Sequence, residues 1–375
     1  MKKIGILGGG QLGRMFIQET LNLGIETHIL DPDPQAPCRH LADRFVVGSL
    51  SDFDTVCEFA QQVDILTIEI ENVNTEALFA IQNSGKKVFP QPKAIQIIQD
   101  KRKQKLFYQQ NNIPTSAFRI VSGKTEIEKN LDFLPAFQKL ASGGYDGRGV
   151  QRLDSAQDLT KAFDAPSVLE KYVDLEKEIS VIAARSPSGQ ISTFPVVEMV
   201  FDPVLNLVDY LRVPAAIPEN IKQQATQLAI KVIEKLEMIG ILAIEMFLTT
   251  QGELLVNEAA PRPHNSGHHT IEANYTSQFA QHLRAILGLP LGSTQARVNS
   301  AAMVNLLGAS GFEGRAYYKG LEEVLTLEGV FVHLYGKILT KPGRKMGHVT
   351  IIHENEQVLM QNIQKVKKTL SVISM

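Results

Sequence analysis

Cysteine is almost absent from this chain. Its two copies, Cys38 and Cys57, have no metal-ligand spacing and are too few for a disulfide framework, so a reducing, cytoplasmic setting is expected. A dominant charge is lacking as well. The 38 Lys and Arg residues stand against 40 Asp and Glu, for a formal net charge of -2. The basic surplus common in nucleic-acid-binding proteins is missing, and no nucleic-acid partner is expected. Long apolar runs are missing too. Residues 239–248 come nearest and are interrupted by Gly240 and Glu245. Nothing approaches the roughly 20 residues that span a bilayer, so no membrane partner is expected. The N-terminus runs directly into Ile4-Gly5-Ile6-Leu7, which reads as a strand rather than a signal peptide. At 375 residues, 44% hydrophobic and 21% charged, the composition suits a soluble globular chain of two or three domains.

The first hundred residues alternate strand and helix patterns. Residues 3–7, 27–30, 63–70 and 87–89 read as strands, and 11–23 as a helix with Leu12, Met15, Phe16 and Leu23 at helical spacing. Such alternation predicts a parallel sheet with helices on both faces, ligands lying beyond the carboxyl ends of its strands. Two segments fall there, the loop Gly8-Gly9-Gly10-Gln11 and the run Glu69-Ile70-Glu71-Asn72. A boundary is expected at Phe89-Pro90-Gln91-Pro92. Beyond it come a basic helix over 101–110, strands over 135–140, 167–173 and 178–184, and an amphipathic helix over 221–236. A hairpin of 241–248 with 253–257, a helix over 274–287, and short strands with a last helix near 354–368 complete the chain. The predicted domains are 1–92, 93–292 with a flap at 142–150, and 293–375.

Gly8, Gly10 and Gly13 spell G-x-G-x-x-G, and Asp31 ends the second strand, as a dinucleotide site would require. The same loop is equally a phosphate cradle at a helix N-terminus or a tight turn without a ligand. The middle of the chain carries more chemistry. Glu245 and Glu258, on adjacent strands of the hairpin, offer with Asn257 the hard oxygen ligands that Mg²⁺ shares with nucleotide phosphates. Arg262, His264 and Asn265 follow in a proline-stiffened loop that suits an anion clamp. Zinc on His264, His268 and His269 is disfavoured, because that loop is not helical. Gly143, Gly144, Gly147 and Gly149, with Lys139 upstream and Arg148 among them, would form a mobile flap over phosphates. Glu170-Lys171-Tyr172-Val173 ends an apolar strand whose edge would meet adenine, and Glu178 would reach the ribose hydroxyls.

In this order, the first glycine loop, Glu69 to Val73, Gly144-Tyr145-Asp146-Gly147-Arg148-Gly149, Asn257 to His268, and Tyr335-Gly336-Lys337 with Pro342-Gly343-Arg344-Lys345 resemble the ATP-grasp superfamily. Within it they are similar to the N5-carboxyaminoimidazole ribonucleotide synthetases of purine biosynthesis. The resemblance covers essentially the whole chain. It implies an α/β ATP-grasp fold: an N-terminal parallel-sheet domain for substrate, a two-part nucleotide-binding middle and a small β-rich C-terminal domain. It implies ATP and Mg²⁺ or Mn²⁺ as cofactors, aminoimidazole ribonucleotide and bicarbonate as substrates, and a homodimer.

Residue by residue, it assigns the ribotide to Gly10, Gln11, Leu12, Glu69 and Tyr145, and its phosphate to Lys337, Arg344 and Lys345. It assigns ATP to Lys101, Lys139, residues 144–150 including Val150, residues 170–173, Glu178, Asn257 and Glu258, and the metal to Glu245, Asn257 and Glu258. Arg262, His264, Asn265 and Lys139 would attend the transferring phosphoryl group. Several positions depart from the family pattern. Lys101 stands where arginine is usual and Arg148 where lysine is common. Met199, Val200 and Phe201 follow Glu198 in place of Asn-x-His, and His269 replaces tryptophan. The rival readings are another ATP-grasp ligase such as formate-dependent glycinamide ribonucleotide transformylase, an NAD-dependent dehydrogenase, and a nucleotide-binding regulator without turnover.

Overall fold

The computed structural model describes residues 2–144, 149–201 and 208–375. Its N-terminal part is a five-stranded parallel sheet in the order Arg44–Val47, Glu26–Asp31, Lys3–Leu7, Ile65–Ile68, Lys87–Val88. Lys3–Leu7 and its neighbour Ile65–Ile68 are almost wholly apolar because helices cover both faces. Arg44–Val47 is the strand that apolar periodicity does not reveal. It is four residues long, half-exposed and lies at the sheet edge, where burial imposes little pattern. Helix Gln11–Leu21 buries Leu12, Met15, Phe16 and Ile17.

Helix starts follow side-chain caps. Asp52 Oδ2 accepts from Thr55 N at 2.9 Å, Asn74 Oδ1 from Ala77 N at 2.9 Å and Asp100 Oδ1 from Arg102 N at 2.9 Å. The helix expected from residue 274 begins at Gln278 instead. Ser277 caps it by accepting from Ala280 N at 2.9 Å, and Gly288 ends it in the left-handed region at φ 72°.

Next comes a small antiparallel sheet in the order Phe118–Val121, Ser167–Lys171, Ala136–Leu140, Val150–Leu153. A larger antiparallel sheet follows. It runs Leu254–Ala260, Gly240–Thr249, Leu175–Arg185, Val197–Phe201, Val208–Val213, Ser300–Leu307, Lys345–His353, Val330–Leu334. Helix Glu219–Lys235 lays Ala225, Leu228, Ala229, Val232 and Ile233 on it. The C-terminal strands are thus joined edge-on to the middle of the chain through Val208–Val213 and Ser300–Leu307. Among the described residues no helix is long and apolar enough to cross a membrane.

His282 ties these parts together. Its Nε2 meets Thr67 Oγ1 at 3.0 Å, on the parallel sheet, and its Nδ1 accepts from Ile241 N at 3.3 Å, on the large sheet. Nδ1 must therefore carry no proton, and Nε2–H donates to the threonine. Burial pushes this imidazole down to about 3, below its ordinary value of 6.5. The unfolded chain takes up this proton first, so stability is complete above about 6.5 and is lost as pH falls toward 3. Equilibrium urea unfolding should show that loss, with a shallower slope over this window in His282→Leu. Thr67→Val, which leaves Nε2–H without an acceptor, should cost about 1–3 kcal/mol.

Candidate active site

The hairpin brings its two carboxylates face to face. Glu245 and Glu258 are register partners, and an irregularity in the ladder follows at Met246. They line a cleft with side chains 18% and 41% exposed. Two like charges so placed are unfavourable unless cations answer them. Lys101 Nζ pairs with Glu258 Oε2, and Lys139 Nζ donates to the neighbouring Asn257 Oδ1 at 2.8 Å. Lys101 holds Glu258 well below the ordinary carboxylate range. Glu245 moves the other way, pushed up by desolvation and by the Glu258 charge. His264 Nε2 lies 3.5 Å from Glu245 Oε1. Its Nδ1 meets Ser266 Oγ at 2.9 Å, and Ser266 Oγ meets Ser180 Oγ at 2.9 Å. Glu178 shares the strand of Ser180, and desolvation carries it up to about 7.

This donor set fits a divalent cation. Two carboxylates and an amide converge where removal from water already disfavours a second negative charge. Among the described residues no three His, Cys, Asp or Glu groups form a metal cage. Mg²⁺ takes few protein ligands and completes its shell with phosphate and water.

The strand Ser167–Lys171 contributes differently from expectation at the side-chain level. Glu170 turns inward, 3.1 Å from Lys139 Nζ and 2.9 Å from Lys105 Nζ. Desolvation would raise it, but the two ammonium groups outweigh that and hold it far below the carboxylate norm. Lys171 Nζ donates to Phe133 O and Leu134 O, both at 3.1 Å. Tyr172 stacks on Phe137 with ring centres 6.3 Å apart, and Val173 is half-buried beside it. Gly144, Gly149 and Val150 are described, and Val150 is exposed. Tyr145, Asp146, Gly147 and Arg148 lie outside the described residues.

At the parallel sheet the glycine loop has a different use for its amide groups. Gly9 N donates to Asp31 Oδ2 at 2.6 Å and Gly10 N to Glu69 Oε2 at 2.5 Å. Two carboxylates of the protein thus occupy amides that would face a pyrophosphate, and their charge repels an anion. Desolvation lifts Glu69 to about 7 against the pull of the Gly10 N–H. Gln11 lies above this loop, where its Oε1 accepts from Lys337 Nζ at 2.6 Å. Lys337 also donates to Lys345 O at 2.7 Å. Arg344 Nη1 donates to Leu339 O at 2.8 Å at the same end. Leu12 packs into the core with Ile4, Phe16 and Tyr335.

Arg262, in the loop after the hairpin, reaches the end of the parallel sheet, its Nε 2.9 Å from Glu71 Oε1. Asn265 Oδ1 is buried without a hydrogen-bond partner. His268 turns away from His264 to meet Gln278 Nε2 at 3.1 Å and to lie beside the His348 ring at 4.8 Å. His269 is buried, and desolvation takes it down to about 4.

Sequence reasoning placed Glu71 in the run beyond the strand ends without giving it a role, and missed Lys105, Ser116 and Gln278. Only Lys105 had a readable signal, since it sits one helical turn after Lys101 and shares its face.

Three family models match the chain: a ribonucleotide synthetase preATP-grasp domain over residues 1–99, an ATP-grasp domain over 106–279, and a phosphoribosylaminoimidazole carboxylase C-terminal domain over 301–362. N5-carboxyaminoimidazole ribonucleotide synthase of Bacillus subtilis is 38% identical over 368 residues, covering 96% of this chain and 94% of that protein. The chain spans 66% of the length of a chloroplastic phosphoribosylaminoimidazole carboxylase from Vigna aconitifolia, at 37% identity. The crystal structure of N5-carboxyaminoimidazole ribonucleotide synthetase from Thermotoga maritima superposes with a TM-score of 0.92 at 42% identity, covering both chains completely. That of the Aspergillus clavatus N5-carboxyaminoimidazole synthase, in complex with ADP and 5-aminoimidazole ribonucleotide, gives 0.88 at 31% identity over 98% of each chain.

The occupied glycine loop gives a direct test. NAD⁺ or NADH at about 1 mM should leave the melting temperature unchanged, whereas a ligand of the folded state would raise it. In Gly10→Ala the new Cβ would stand 2.3 Å from Glu69 Oε1. It should displace that carboxylate and cost about 1–3 kcal/mol in denaturant unfolding.

Proposed function

We propose that this chain, which belongs to the N5-carboxyaminoimidazole ribonucleotide synthase family of ATP-grasp ligases, carboxylates 5-aminoimidazole ribonucleotide with bicarbonate at the expense of ATP. The observation that carries this reading is the cleft where Glu245 and Glu258 meet Lys101, Lys139 and Asn257, with Arg262 bridging toward the glycine loop. The family relationship supports the substrate, and the occupied loop amides count against a dinucleotide. Mg²⁺ or Mn²⁺, bicarbonate as the carboxyl source and a homodimeric, cytoplasmic enzyme belong to the same reading. So does a division at 92/93 and 292/293 into substrate, nucleotide and C-terminal regions.

The chemistry divides into two displacements. A bicarbonate oxygen attacks the γ-phosphorus of ATP, the bond to the β-bridging oxygen breaks, and ADP leaves. The product, carboxyphosphate, is a mixed anhydride. The exocyclic amine of the ribotide then forms the N–C bond to its carbonyl carbon, or to CO₂ released from it, with loss of phosphate and a proton. Phosphoryl transfer of this kind is mostly positioning and charge neutralisation. Lys101 and Lys139 would face the polyphosphate. Glu245, Glu258 and Asn257 would hold a metal ion, which supplies charge neutralisation and orientation of the phosphates. Arg262, in reach of Glu71, would exchange that carboxylate for the transferring group, with His264 and Asn265 beside it. Glu178 would accept from the nucleotide ribose.

Gln11 and Glu69 would contact the ribotide, with Gly10 and Leu12 shaping the loop beneath it. Lys337, Arg344 and Lys345 would hold its phosphate, placed apart from the helix N-terminus that Asp31 and Glu69 close. The flap residues Gly144 to Val150, including Tyr145, would cover the phosphates, and Lys171 to Val173, with the backbone of Glu170, would line the adenine side. Exclusion of water protects the anhydride from hydrolysis.

ADP release with Mg²⁺, ATP and bicarbonate tests this reading, with and without aminoimidazole ribonucleotide. Ribotide should stimulate release, and Glu258→Gln should lower the stimulated rate by about 10²-fold or more. Stimulation by glycinamide ribonucleotide with formate instead would place the chain in the transformylase branch.

A further inference from the structure

Behind Lys139 lies a second lysine to which the proposed reaction gives no task. Lys105 is one helical turn beyond Lys101 on Lys101–Gln110, and its side chain is 2% exposed. Its Nζ lies 2.9 Å from Glu170 Oε2 and donates to Thr115 Oγ1 at 2.6 Å and Ser116 Oγ at 3.2 Å. Ser116 Oγ donates to the same Glu170 oxygen at 2.7 Å. The other oxygen, Oε1, is 3.1 Å from Lys139 Nζ. Thr115 Oγ1 in turn donates to Val256 O at 2.7 Å, next to Asn257, to which Lys139 donates. One carboxylate, 4% exposed, therefore stands between two ammonium groups, and the chain of contacts returns to the cleft.

We infer that Lys105 is a positioning residue for the nucleotide polyphosphate: by engaging Glu170 it keeps the positive charge of Lys139 available to the phosphates. This rests on the ATP-dependent reading above. Lys105, Glu170 and Lys139 together carry one net positive charge, and the Lys139 end of the group borders the cleft. Without Lys105 the remaining pair is neutral, and Lys139 faces a carboxylate whose other oxygen has lost its ammonium partner. In a poorly solvated setting that attraction is strong, and a phosphate must compete with it. Removing the charge of Glu170 as well restores one net positive charge at Lys139. Burial already draws Lys105 down to about 8, in keeping with a cation retained through its carboxylate partner. A purely mechanical brace makes a different prediction. Breaking both ends of a brace does not repair it.

The experiment compares wild type, Lys105→Met and the double variant Lys105→Met/Glu170→Gln. It measures the dissociation constant for MgATP by calorimetry, and KM and kcat by ADP release. Lys105→Met should weaken ATP binding and raise its KM about tenfold or more while kcat stays within about threefold, and the double variant should return to within about threefold of wild type. Unchanged ATP binding in folded Lys105→Met, or a folded double variant no tighter than the single one, would overturn the inference. If Lys105→Met does not fold, the double variant, in which no carboxylate is left unpaired and Lys139 keeps its bond to Asn257, decides alone. Near-wild-type binding supports the inference, and tenfold weakening refutes it. A wild-type chain that binds no ATP would instead overturn the underlying reading, and this inference with it.

Discussion

Two carboxylates fixed opposite each other on neighbouring strands set the terms for everything around them. Strand register leaves Glu245 and Glu258 no freedom to separate, so the surrounding elements must supply positive charge. The helix Lys101–Gln110 delivers Lys101 and the strand Ala136–Leu140 delivers Lys139, and the loop after the hairpin brings the His264 imidazole to 3.5 Å from Glu245. Three separate parts of the fold thus converge on one electrostatic demand. The pair is tolerated with lysines alone, yet Glu245 remains displaced upward, a condition that an added cation would relieve.

The N-terminal sheet shows how one backbone shape serves unlike chemistries. Its first turn has the glycines of a dinucleotide loop, including Gly8 at φ 106°. What differs lies in the side chains that approach from neighbouring strand ends. Asp31 and Glu69 take up the amides of Gly9 and Gly10, so the loop becomes a rigid, acid-backed shelf. A glycine motif records where the chain turns. It does not record which partner the exposed amides receive.

That distinction explains what was legible in the sequence. The apolar strands, the amphipathic helix Glu219–Lys235 and the hairpin carrying both carboxylates announce themselves through local periodicity. Glu245 also stood out, because a charge amid Ile241 to Phe247 demands a reason. Asp31 and Glu69 stood out as candidate ligand contacts but not as acceptors of the loop amides, since they lie 22 and 59 residues away along the chain. Nor did the inward turn of Glu170, which depends on Lys105 arriving from another element. The joining of Val208–Val213 to Ser300–Leu307 was equally hidden, because strand pairing across such separations leaves no local pattern. Arg44–Val47 escaped for a different reason, being too short and too exposed to carry one.

The hydrogen bond between Gln11 and Lys337 joins residues 326 positions apart, and Tyr335 beside it is packed among Ile4, Ile6 and Phe16. A chain emerging from the ribosome makes its N-terminal sheet first. That sheet must wait for Phe279, Leu283 and Tyr335 before its outer face is covered. The nascent protein therefore carries an uncovered apolar surface through most of its synthesis. It also lacks the Lys337 contact to Gln11 until nearly all of the polypeptide has been made, so no shortened translation product can form it.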